Sequence, residues 1–248
     1  MRLILTGSTG TLGRELIKIA PDFGITYLPV SSRDFDITDS RSIRTFKAYN
    51  ILNYEGVVHC AAFTDTTKAE TKRARVIDAN IIGTRNVFSE FCNSNSVSFV
   101  YISTDYVYQS TGMEGGYKET SIPRPVNFYA WTKYAGESYA RSQDLIIRTS
   151  FKPSIWRHTH AFDDLYTSAG YVDEIARKIS FLVVHGAQGI YNVGTERKSI
   201  YDLARRRNPG VQPISKDTIQ DVGMPEDCSI DTSKYEEFVR RFIPGGGI

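Results

Sequence analysis

The run NFYAWTKYAGE, residues 127–137, sets Tyr129 four positions before Lys133. On a helix that spacing puts both side chains on one face, with Cβ atoms about 5–6 Å apart. An ammonium beside a phenol favours the phenolate and so lowers a pKa whose unperturbed value is about 10. Such a pair suits giving and taking a proton near neutral pH. The same spacing also fits an amphipathic helix with a half-buried Tyr and a surface Lys, so the rest of the chain has to decide.

A second candidate opens the chain, at Gly7-Ser8-Thr9-Gly10-Thr11-Leu12-Gly13. Glycines spaced G-x-x-G-x-x-G allow a tight turn, a close approach of backbone to a pyrophosphate, and close packing of helix on strand. An apolar strand precedes the loop and a helical pattern follows it, which is the context an anion on a helix N-terminus needs. Gly7, Thr9, Gly10, Thr11, Leu12 and Gly13 are therefore candidate dinucleotide contacts. The next strand ends Val30-Ser31-Ser32-Arg33. A carboxylate at that position would accept hydrogen bonds from a ribose and repel a 2′-phosphate; hydroxyls and a guanidinium stand there instead. Ser31, Ser32 and Arg33 favour NADP over NAD, with Arg33 as the clamp on the extra phosphate. Asp36 and Ile37 extend the same cofactor wall.

Apolar runs and helical patterns alternate around these motifs. Strands are expected at 2–6, 25–30, 56–60, 98–103, 145–149 and 189–193. Helices are expected at 11–20, 40–49, 67–93, 127–142 and 171–184. Thr38-Asp39-Ser40 is a capping run for the second helix, and Pro29 is expected to end the second strand early. Short apolar strands alternating with helices give an α/β fold, a Rossmann-like doubly wound parallel sheet with a small C-terminal substrate-binding lobe. Residues 1–150 make the dinucleotide-binding domain, joined by a helix and strand from about 170–195. Residues 151–169 and 196–248 make the lobe. Residues 109–127 and 150–170 read as long irregular stretches of the kind that carry ligand contacts.

Three further runs then fall into order: His59-Cys60-Ala61-Ala62-Phe63-Thr64, Ala79-Asn80-Ile81-Ile82-Gly83-Thr84 and Ser103-Thr104-Asp105-Tyr106-Val107-Tyr108. With the glycine loop, the Tyr–Lys pair, Lys68-Ala69-Glu70 and the run MPEDCSIDTSK at 224–234, the chain resembles the extended short-chain dehydrogenase/reductases. Within them it looks most like the dTDP-4-dehydrorhamnose reductases, over residues 1–150, 170–195 and 224–235. The resemblance implies NADPH as cofactor and a nucleotide-linked 4-keto-6-deoxyhexose as substrate. Tyr129 is then the general acid for the substrate carbonyl oxygen. Lys133 binds the nicotinamide ribose and keeps the tyrosine pKa low, and Thr104 hydrogen-bonds the same oxygen. Two donors aimed where negative charge grows stabilise it. Cys60, Ala61, Ala62, Thr64 and Asn80 fall on the cofactor side, where the alanines let backbone come close. Asn80 is a poor helix former, which points to a functional or helix-distorting role. Asp105 and Tyr106 fall on the substrate side. Related dehydratases carry Asp-Glu there, and Tyr106 cannot act as the carboxylate, so ketone reduction is favoured over dehydration. A sugar-nucleotide epimerase needs the same three residues and stays open. So does a non-catalytic NADP-binding regulatory subunit, although an intact Thr104–Tyr129–Lys133 set argues against it. An NADP-sensing transcriptional regulator usually lacks the Tyr–Lys pair.

The chain departs from that family between Arg148 and Gly170, where it is shorter. Lys152 and Arg157 are candidates for the substrate diphosphate and Trp156 for stacking on sugar or base. Thr67 stands where such reductases often have Asp. The composition is that of an ordinary globular protein, 41% hydrophobic and 23% charged with a net charge of +2, which speaks against a nucleic-acid partner. No apolar run approaches a membrane span and no leader is read at the N-terminus, so a cytoplasmic protein is expected. Cys60, Cys92 and Cys228 read as buried reduced thiols, and Arg205-Arg206-Arg207 as a solvated helix end. His158 and His160 have no ligand cluster around them, so no metal is expected. A homodimer is left open.

Overall fold

Alternation of apolar residues decides the central sheet. In β1 (Arg2–Thr6) Leu3 and Leu5 point to one face and Ile4 to the other, as the two-residue period of a strand requires. The computed structural model describes residues 1–50, 53–92, 96–108, 116–218 and 226–244. Strands β2 (Thr26–Val30), β3 (Gly56–His59), β4 (Ser98–Ile102), β5 (Leu145–Thr149) and, later in the chain, Gly189–Val193 join β1 in a six-stranded sheet. Every pairing in it is parallel. The chain runs from β1 outward to β2 and then crosses back to place β3 on the other side of β1. That reversal opens a crevice at the carboxyl ends of β1 and β3, where ligands of open α/β sheets bind. Pro29 does not shorten β2 as expected. The strand runs through Val30, with Pro29 opposite Leu5, because β2 is the sheet edge and the missing N–H faces no further strand.

Helices α1 (Thr11–Ile19) and, near the end of the fold, Val172–Val184 cover one face with Leu12, Leu16, Ile175 and Ile179. Helix α2 (Ser40–Tyr49), capped by the Asp39 carboxylate on Arg41 N at 2.9 Å, covers the other with Ile43. The helix expected over 67–93 is broken. It runs as α3 (Thr66–Thr71), α4 (Arg73–Ile77), a π-helical turn at Asp78–Ile82, and α5 (Gly83–Phe91); Asn93 lies outside the described residues. Asn80 causes the distortion. Its Oδ1 accepts from Phe63 N at 2.7 Å and its Nδ2 donates to Phe63 O at 3.1 Å and to Thr132 Oγ1 at 3.0 Å, so the helix widens to bring the amide to the loop after β3. Helix α6 (Phe128–Glu137) ends before residue 142, and the Ser138 hydroxyl donates to Ala135 O at 2.7 Å, competing with the helical ladder.

Residues 150–170, irregular by sequence, carry β6 (Phe151–Lys152), β7 (His160–Phe162), β8 (Tyr166–Thr167) and the start of β9 (Gly170–Tyr171). Helix α7 (Val172–Val184) and β10 (Gly189–Val193) return to the main sheet. The chain continues as β11 (Lys198–Ser199), α8 (Ile200–Arg205), β12 (Gln212–Ile214) and α9 (Ser233–Arg240). The short strands pair as β6–β9, β7–β12 and β8–β11. Helix α9 returns to the main body, where Tyr235, Phe238 and Val239 join the core of α1 and α7. Two arginines of the run that closes α8 are held by partners, beyond the solvated end expected. Arg207 grips Asp173 at 2.8 and 2.9 Å, and Arg206 reaches Glu174 at 2.8 Å, so both tie α8 to the first turn of α7, where acidic residues suit the dipole. Cys60, Cys92 and Cys228 are free thiols, Cys60 half-buried and the others buried.

Candidate active site

The loop after β1 is built by backbone. Gly7 has φ +68°, and a Cβ there would stand 2.7 Å from Ala61 N, so only glycine lets the turn meet the loop after β3. A Cβ on Gly13 would stand 2.8 Å from Ser8 Cα, so the start of α1 lies flat on the loop. Gly10 N–H donates to Gly7 O at 2.9 Å, and α1 begins with no side chain capping it and no acidic residue in its first turn. Its first N–H groups are left to an anion. Behind the loop, His59 Nδ1 and Thr6 Oγ1 are 2.7 Å apart, and Nε2 is 3.1 Å from Thr84 Oγ1. Burial, together with the Lys133 charge, pushes His59 down to about 3, so the ring is neutral. Ala61 N–H donates to Thr6 Oγ1 at 3.3 Å, which fixes the Cys60–Ala62 wall.

One cleft of about 1040 Å³ runs from this loop to the end of β5. Gly7, Thr9, Gly10, Thr11, Leu12, Gly13, Ser31, Ser32, Asp36, Ile37, Cys60, Ala61, Ala62 and Thr64 line its first part. Thr104, Tyr106, Tyr129, Lys133 and Lys152 line the other. Five expected residues are elsewhere. Arg33 is exposed and outside the lining; the turn there is set by Asp34, which accepts from Ser31 N at 2.7 Å and from its hydroxyl at 2.9 Å. Asn80 is fully buried on Phe63 and Thr132, so it shapes the cofactor wall from behind. Asp105 lies beneath the cleft, accepting from Ser150 Oγ at 2.7 Å and from Thr104 Oγ1 at 3.3 Å. Trp156 packs with Ala161, Ala204 and Val211 in the small sheets, and Arg157 is exposed outside the lining. A tryptophan buries more apolar area there than a solvent-facing stacking position offers.

Sequence reading missed Thr149, Ser150 and Phe151 at and just past the carboxyl end of β5, and Arg75, Asp78 and Ala79 on the broken helix, all lining the cleft. The first three carry a readable signal, since they stand at the carboxyl end of a parallel strand. The second three are visible only once the helix is known to be distorted.

The electrostatics differ from expectation in one respect. Burial in the cleft wall and the Asp105 charge push the Tyr129 phenol up, offset in part by a hydrogen bond from Thr104. Lys133 does not lower it. Lys133 is itself pulled down to about 7 by burial, against the opposing pull of Cys60 and Glu137. Burial likewise drives the Cys60 thiol up to about 12, so it is a neutral wall residue. Among the described residues no group of His, Cys, Asp or Glu could hold a metal ion, and no helix is long and apolar enough to cross a membrane.

A family profile described as the RmlD substrate binding domain matches residues 1–152. The chain belongs to the RmlD family. Its relatives include the dTDP-4-keto-6-deoxy-D-glucose reductase of Streptomyces niveus, 30% identical over an alignment of 246 residues that covers 88% of this chain and 84% of that protein. The dTDP-4-dehydrorhamnose reductase of Mycolicibacterium smegmatis is 34% identical over 153 residues, 60% of this chain and 45% of that protein. The chain thus spans less than half of that relative in the matched region. Among solved structures, the dTDP-4-dehydrorhamnose reductase of Bacillus anthracis in complex with NADP superposes with a TM-score of 0.82 at 26% identity, covering 98% of this chain and 99% of that one. The UDP-glucose 4-epimerase of Thermus thermophilus, at 18% identity and a TM-score of 0.78, shares the fold. The RmlD-family cleft fits a dinucleotide on its own geometry: a glycine-turned cradle over an uncapped helix, continuous with a chamber that holds a Tyr, a Lys and a Thr.

Proposed function

We propose that this RmlD-family chain is an NADPH-dependent reductase of a nucleotide-linked 4-keto-6-deoxyhexose. The reading rests on one observation: Thr104, Tyr129 and Lys133 line the same cleft that the glycine cradle opens. Gly7, Gly10 and Gly13 with the start of α1 hold the pyrophosphate, and Ser31, Ser32, Asp36 and Ile37 face the adenosine end. When bound, NADPH supplies the hydride that adds to the carbonyl carbon. Tyr129 holds its proton, as its raised pKa requires, and gives it to the carbonyl oxygen as charge develops there. Thr104 donates to the same oxygen once its hydroxyl turns from Asp105. Lys133 orients the nicotinamide ribose. Phe151 and Lys152 close the far wall, and the small sheets beyond β6 form the substrate-binding lobe, with Lys152 meeting an anionic part of the substrate.

The test is NADPH oxidation with dTDP-, UDP- and GDP-linked 4-keto-6-deoxyhexoses, with the Tyr129→Phe protein alongside. Turnover with one nucleotide, lost in the variant, is the expected result. Tight NADPH binding with no turnover on any of them would overturn the reductase reading in favour of a regulatory subunit.

A further inference from the structure

A buried lysine needs something to hold its charge and its direction, and three observations meet at Lys133. Its side chain is buried at 3% exposure, and no carboxylate stands within ion-pair distance of it among the described residues. Its Nζ lies 4.1 Å from the centroid of the Tyr101 ring. The Tyr101 hydroxyl in turn donates to Lys133 O at 3.1 Å. Tyr101 is fully buried in the middle of the sheet, with the neutral His59 ring 6.0 Å away and nearly parallel to it. The phenol is thus fixed to the lysine's backbone while its ring carries the lysine's ammonium. A Cβ on Gly136 would stand 2.9 Å from Tyr101 Cζ, so α6 is bare of side chain where the ring lies.

We infer that Tyr101 is a positioning residue for Lys133, an aromatic platform that keeps the ammonium charged and aimed at the nicotinamide ribose. The ring face is the attractive surface, since its quadrupole is negative there and both groups are buried, where such contacts are strongest. The other titratable groups facing the ammonium are few. His59 is held neutral and so does not oppose it, Cys60 is a protonated thiol, Tyr129 one turn back along α6 is a protonated phenol, and Glu137 one turn on favours the ammonium while paired with Arg148 at 2.7 Å. Asp105, at the other end of α6, acts on Tyr129. The peptide bond clamp sets where the side chain starts, and the ring sets where it ends.

The inference rests on the role of Lys133 proposed above, and the experiment separates the two. Position 101 is changed to Phe and then to mono-, di- and trifluorinated Phe by codon suppression, which keeps ring shape while weakening its quadrupole stepwise. NADPH affinity is followed by calorimetry against pH, together with kcat/KM. Lys133 must be a cation, so both quantities are held below its pKa, about 7 in the free protein, and fall as pH rises through it. The fluorinated series should move that midpoint to lower pH stepwise, by about one unit at its end, the scale of a desolvated cation–π contact. Tyr101→Phe, which keeps the ring, should stay near the wild-type midpoint. A midpoint that does not move across the series overturns the platform. A Lys133→Met protein that binds NADPH and turns over like wild type overturns the role of Lys133 itself.

Discussion

The two ends of the cleft are made of different material. The end under α1 is made of backbone: Gly7, Gly10 and Gly13, the uncapped N–H groups of the helix, and the Cys60–Ala62 strand end pressed against Gly7. The end beyond β5 is made of side chains: Tyr129 and Lys133 from α6, Thr104 from the loop after β4, then Phe151 and Lys152 from a two-residue strand. Backbone recognition fixes a shape common to every dinucleotide and tolerates little substitution. Side-chain recognition is adjustable, and here it rests on residues from several separate elements. Constancy of cofactor and freedom of substrate are thus located in different physical elements.

The division is tested most severely at the seam. Tyr129→Phe removes only the proton donor and should lower kcat by about 10²- to 10⁴-fold, leaving NADPH affinity unchanged by calorimetry; a parallel loss of affinity would mean the two ends are not separable. Gly7→Ala forces a side chain into a left-handed turn already 2.7 Å from Ala61 N. About 1–2 kcal/mol of backbone strain plus that collision should weaken NADPH at least tenfold, a factor worth about 1.4 kcal/mol, while the protein still folds by circular dichroism. Lys152→Met should raise the KM of the sugar nucleotide by roughly tenfold, as loss of a charge-assisted contact does, and leave NADPH affinity alone. Asn80→Ala orphans the Phe63 N–H behind the cofactor wall. It should cost about 1–3 kcal/mol in urea unfolding and loosen NADPH a few-fold. Trp156→Phe, which keeps an aromatic in the small-sheet cluster, should change substrate KM least of all; a large rise would return Trp156 to the binding surface.

The backbone-built end was the more legible in sequence. Glycine spacing, an apolar strand before it and a helix after it state a geometry directly, and every candidate from Gly7 to Gly13 lines the cleft. The strand positions and the shared face of Tyr129 and Lys133 follow from periodicity in the same way. What sequence could not show depends on distances between remote segments. Arg33, expected as a phosphate clamp, stands exposed beside the cleft in a turn that Asp34 organises, and spacing alone does not say where its side chain goes. Trp156, expected as a stacking platform, packs partly buried against Ala161, Ala204 and Val211. The direction of the Tyr129 shift depended on burial and on Asp105, neither of which a four-residue spacing reveals.

The π-helical turn at Asp78–Ile82 has a consequence for which changes of length the fold tolerates. Gly83 N–H reaches back five residues to Asp78 O, so this turn holds one residue more than an α-helical one. Before it and at its start, Arg75, Asp78 and Ala79 face the cleft; after it, Gly83 lies against Ile37, and Asn86 Nδ2 donates to Ile37 O at 3.0 Å. Deleting a single residue here would restore a regular helix and rotate one half against the other by about 100°. Either the cofactor wall or the seat of the Ile37 loop would then face the wrong way. A homologue that keeps both must keep the insertion, however freely its surface loops lengthen or shrink.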